Sequence, residues 1–97
     1  MKQAEFKQWM LNKKRYYNGE LETYSEKMVD LRIHWLKELE KFFKVNLDEK
    51  TVNELLGREF LAKIRGAKIE SLKNTPCSNA FRHYFEFKTG VRISKIF

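Results

Sequence analysis

The sequence predicts an all-α fold, a compact bundle of four to five helices, and three observations carry that prediction. Gly occurs four times and Pro once in 97 residues, so few points force a turn and helices are favoured over strands. Apolar residues recur at steps of three and four in several stretches. Candidate helix starts stand in front of three of those stretches, two as Thr-x-x-Glu and one as Thr-Pro. A hydrophobic content of 42%, with 14% aromatic, supplies a core and excludes a disordered tail. The length bounds the chain at a single domain spanning 1–97, and the scaling of surface with mass lets it bury about 65% of its unfolded surface.

Each element follows from local pattern. In 2–12, Phe6, Trp9 and Met10 align on one stripe of a short helix. Residues 13–22 lose that period and hold the turn pair Asn18-Gly19, which predicts a loop opening on Lys13, Lys14 and Arg15. Thr23-Tyr24-Ser25-Glu26 reads as a capping box with Thr23 as the cap, starting a long helix through Met28, Val29, Ile33, Leu36, Leu39, Phe42 and Phe43. Thr51-Val52-Asn53-Glu54 reads as a second box for a short turn that Gly57 ends. Phe60, Leu61 and Ile64 mark another short helix, and 65–73 a basic connector. Thr75 caps a last helix over 76–88 with Ala80, Phe81, Tyr84, Phe85 and Phe87 on its apolar side. Gly90 terminates it, and a short basic tail follows over 91–97.

Twenty Lys and Arg against thirteen Asp and Glu give a net charge of +7 and point to polyanionic partners. No apolar run reaches the ~20 residues of a membrane span and no signal-peptide pattern opens the chain, so a cytoplasmic, nucleoid-associated protein away from membranes is expected. The single Cys77, with only His34 and His83, supplies neither an internal disulfide nor a zinc site, and no cofactor is expected.

The order of these signals resembles the N-terminal core-binding, SAM-like module of phage-integrase-type tyrosine recombinases. Phe6-Lys7-Gln8-Trp9-Met10 is similar to that family's opening Phe-x-x-Trp-Leu helix. A basic loop and a helix beginning near Ser25, with Leu36 and Phe42 further along, are similar to its next elements. Ser78-Asn79-Ala80-Phe81-Arg82-His83-Tyr84-Phe85 looks like its closing helix, so the likeness spans 5–88. Met28 stands where the family usually has Thr, and Arg32 where it often has Tyr. The resemblance implies a helical half-clamp on double-stranded DNA, working with a C-terminal catalytic domain or other protomers. The Arg, His and Tyr set that such a catalytic domain contributes is not expected within this chain.

Duplex binding requires several cations on one side, because affinity comes from phosphate neutralisation and counterion release. The candidates are Lys27 and Arg32 on the long helix, Arg82 on the last, the cluster Lys13, Lys14 and Arg15, and Lys68 and Lys73 with Lys63 and Arg65 in the connector. Ser25, Thr75, Ser78 and Asn79 stand near helix starts, where hydroxyls, amides and backbone N–H groups hold phosphate. Asn79, Arg82, His83 and Glu86 share one polar stripe that suits a groove. A helical protein-interaction adaptor docking through exposed Phe or Tyr of the last helix, the same module attached to a restriction-type nuclease, and a small nuclease subunit are the competing readings.

Overall fold

The computed structural model describes residues 1–67 and 74–93, apart from the side chains of Tyr17 and Asn74. The expected contributions of Lys68, Lys73 and most of the basic connector, and of the chain beyond Ile93, lie outside these residues. The architecture is mostly helical, with five helices and one two-stranded sheet among the described residues.

Helix α1 (Gln3–Asn12) buries Phe6 and Met10 as its periodicity predicts. The expected loop is instead an antiparallel hairpin, β1 (Lys14–Tyr17) and β2 (Glu20–Thr23), with Lys14 opposite Thr23 and Tyr17 opposite Glu20. Its two-residue turn sets Asn18 at φ 53° and Gly19 at φ 80°. Paired left-handed residues match the right-handed twist of the flanking strands, and Asn-Gly adopts them at least cost. The turn pair was therefore a hairpin signal.

With Thr23 committed to the ladder, the cap of α2 (Glu26–Phe43) passes to Ser25, whose hydroxyl accepts from the Met28 backbone N–H at 3.2 Å. Val29, Ile33, Leu36 and Leu39 form the buried stripe, while Phe42 stays exposed. The short α3 (Leu47–Lys50) is capped by Asn46. Thr51 closes α3 instead of opening a helix, since its buried hydroxyl donates to the Leu47 carbonyl at 3.0 Å.

Asn53 caps α4 (Glu54–Gly66), which runs straight through Gly57 and merges the expected turn and short helix into one element. Gly57 keeps a helical hydrogen bond to the Asn53 carbonyl at 3.1 Å. The reason for a glycine inside the helix is steric. A Cβ there would sit 2.5 Å from the Phe85 ring, so the glycine makes room for that ring of α5 against α4.

Helix α5 (Asn74–Thr89) starts slightly earlier than expected, which puts Thr75 and Pro76 inside its first turn instead of at the boundary. A missing N–H costs nothing there, because first-turn donors have no intrahelical partner. Gly90 ends the helix at φ 76° and donates to the Glu86 carbonyl, as expected. Packed against α1, α2 and α4, α5 is the centre of the molecule, with Phe6 edge-on to Tyr84 at 5.3 Å and Phe60 edge-on to Phe81 at 5.0 Å. Tyr84 is fully buried, and its hydroxyl donates to Asp48 and accepts from the Lys2 backbone N–H. No helix of the described residues is long and apolar enough to cross a membrane.

Candidate nucleic-acid interface

The hairpin, α2 and the polar stripe of α5 enclose a cleft of about 520 Å³. Lys13, Lys14 and Arg15 enter from the start of the hairpin, Arg32 from α2, and Arg82 from α5, with Arg92 just beyond it. These are six cations against one lining acid, Glu86. Glu86 is shared, with Lys13 Nζ at 2.7 Å and Arg92 Nε at 3.6 Å. Beside the cleft, Arg15 also meets Glu22 across the strand pair at 3.2 Å. The two acids leave a clear excess of positive charge.

Tyr24 organises the inner wall. It follows the last strand residue and precedes the α2 cap, a position that turns its ring into the core edge. The guanidinium carbons of Arg15 and Arg32 lie 4.9 and 5.1 Å from the ring centre, where the negative π-face attracts them. The Tyr24 hydroxyl is 3.3 Å from His83 Nε2, and Arg32 Nε donates to His83 Nδ1 at 3.3 Å. An acceptor Nδ1 leaves the proton on Nε2, which then donates to Tyr24. The chain from Arg32 through His83 to Tyr24 thus runs in one direction.

That chain fits a neutral imidazole only. Burial, followed by the charge of Arg32, pushes the His83 pKa down to about 4. Burial also lowers Arg32, with Arg15 acting in the same direction and Tyr24 against it. Arg82 is lowered by burial first and then by Arg65 and Arg92, while donating to the Asn79 side-chain oxygen. Guanidinium remains charged at neutral pH through such changes. The cleft therefore holds permanent positive charge where like charges already raise one another's energy, a condition that an anion relieves.

The structure brings together Lys13, Lys14, Arg15, Arg32, Asn79, Arg82 and His83 of the residues expected from sequence. Ser25, Lys27 and Thr75 are exposed but do not line the cleft. The Ser78 hydroxyl is buried and has no hydrogen-bond partner among the described residues. Tyr16, Tyr24 and Arg92 line the cleft without having been singled out for it. For Tyr16 the turn pair Asn18-Gly19 was the available signal, since a hairpin reading places it on one strand with Lys14 and Arg15. For Arg92 no local signal exists, because its position depends on how the chain turns after Gly90. The exposed aromatic face that a protein-docking adaptor needs is missing from the middle of α5, where Phe81, Tyr84 and Phe85 are all buried.

No family model matches the chain, and searches of curated proteins and of solved structures return no match.

Proposed function

We propose that this chain binds DNA through the cleft between the hairpin, α2 and α5, as the core-binding half-clamp of a phage-integrase-type tyrosine recombinase with a SAM-like fold. The observation that carries the reading is the convergence of six Lys and Arg side chains from four separate stretches onto one concave surface lined by one acid. Nothing in core packing requires that convergence. Solubility does not require it either, because surface cations that serve solubility are better spread among acids.

In this reading the exposed cations at the cleft margin, Lys14 and Arg92, follow the phosphate ridge, and the polar stripe of α5 faces the groove. The chain supplies grip, and cleavage and rejoining belong to a partner domain carrying the Arg, His and Tyr set. Neutralising four to six phosphates gives a log–log salt slope of about −4 to −5, a loss of roughly 10²- to 10³-fold in affinity between ~50 and ~200 mM salt. Fluorescence anisotropy of a labelled duplex across that range tests it. Binding that ignores salt, or no binding at the lowest salt, rejects the reading.

A further inference from the structure

We propose that the cleft takes an unpaired nucleotide strand, with phosphate on Arg32 and Arg82 and a base stacked on Tyr16, so that the chain prefers DNA with a single-stranded segment over blunt duplex. The inference rests on the reading of this surface as a nucleic-acid site and asks which form of nucleic acid reaches its inner wall.

Size is the first argument. The cleft has a volume of about 520 Å³. A space of that size suits one nucleotide better than a base pair within a stacked duplex. Pockets that enclose a small organic molecule run from about 300 to 1,000 Å³, and one nucleotide belongs to that size class.

Depth is the second. Arg32 and Arg82 are half-buried in the wall, unlike Lys14 and Arg92 at the edge. Burial lowers the pKa of both guanidinium groups, which marks them as charges withdrawn from water. A phosphate on the ridge of a duplex meets the edge cations first, and only a thin, flexible strand carries a phosphate past them.

Tyr16 is the third. It borders the same cleft and leaves 78% of its surface in water, opposite the exposed Leu21 in the ladder. An aromatic ring held open on a two-stranded ribbon, on the same face as Lys14 two residues before it, is what a base-stacking platform needs: a π-face beside backbone-binding charge. Stacking tolerates any base, so the preference should follow strandedness and not sequence.

The test compares three labelled DNAs of one sequence at one salt concentration: single strand, blunt duplex, and duplex with a single-stranded extension. The expected result is tighter binding to the extended duplex and the single strand than to the blunt duplex. Tyr16→Ala should weaken single-strand binding by roughly tenfold, within the range for losing one base–aromatic stack, and leave blunt-duplex binding unchanged. Tyr16→Phe should retain it. Thermal melts of both variants confirm folding, which an exposed side chain should not affect. Equal or weaker binding of the single strand beside salt-sensitive binding of the blunt duplex overturns this inference and leaves the DNA-binding reading standing, as does an equal loss on both DNAs in Tyr16→Ala. Failure of all three DNAs to bind overturns both.

Discussion

His83 is the residue through which pH reaches the cleft. Its folded pKa of about 4 lies below the ordinary value of 6.5, so in that window the unfolded chain takes up a proton that the folded chain refuses. Stability from this group is complete above 6.5, declines as pH falls, and is lost below about 4, by on the order of 3 kcal/mol. Urea unfolding at a series of pH values should show that slope. His83→Gln should flatten it, because an amide can accept from Arg32 and donate to Tyr24 without titrating; an unchanged slope would assign the pH dependence to carboxylates instead. Tyr84 makes the matching case in the core. Burial and the Asp48 hydrogen bond hold its phenol well above the usual pKa, while Asp48, which burial alone would raise, is held below its ordinary value by Tyr84, Lys88 and the N-terminal ammonium. Tyr84→Phe removes a donor and an acceptor at once and should cost about 1–3 kcal/mol by denaturant unfolding, much of it from the Lys2 N–H and the Asp48 carboxylate left behind.

Among the elements, α4 and the hairpin show where sequence pattern and structure part company. Gly57 has two opposed effects: glycine weakens a helix interior by about 1 kcal/mol relative to Ala, yet a methyl group there would meet the Phe85 ring at 2.5 and 2.7 Å and Ile93 at 3.3 Å. Phe85 is itself buried and cannot swing into water, so overpacking should win. Gly57→Ala is expected to destabilise by about 1–3 kcal/mol, seen as a lower Tm, whereas a gain would show that α5 shifts freely. No local rule distinguishes a glycine that ends a helix from one that admits a neighbouring ring, which is why α4 reads as two pieces in sequence. Helix α2 was legible because four buried positions, Val29, Ile33, Leu36 and Leu39, repeat at helical spacing within one segment. The hairpin was legible in its turn pair but hidden by the polar strand residues around it. Residues such as Arg32 and Arg82 were legible as cations; that they share a wall was not, because fifty residues of intervening fold set their relation.

At the scale of the whole molecule, the surplus of +7 is not spread evenly, and its concentration in the cleft sets function against stability. Arg82 is the clearest instance. Burial, Arg65 and Arg92 all oppose its charge, and the polar partner it is seen to keep is the neutral Asn79 side chain. Replacing it by an uncharged residue of similar reach relieves repulsion in the folded state without leaving a buried ion unpaired. Arg82→Gln is therefore expected to leave Tm unchanged or to raise it, while flattening the salt slope of single-strand binding by about 0.7. Glu86, flanked by Lys13 and Arg92, gives the reciprocal expectation. Glu86→Gln should lower Tm, since it removes the lining acid that offsets the cations, and should tighten DNA binding at low salt. Thermal melts and salt-titrated anisotropy on the two variants measure both quantities. A flatter salt slope with no loss of Tm in Arg82→Gln, and a lower Tm with tighter binding in Glu86→Gln, identify a surface whose charge serves an external anion. If Arg82→Gln lowers Tm and leaves the salt slope unaltered, Arg82 is instead a structural residue of α5, and the cleft loses a cation on which its function was argued.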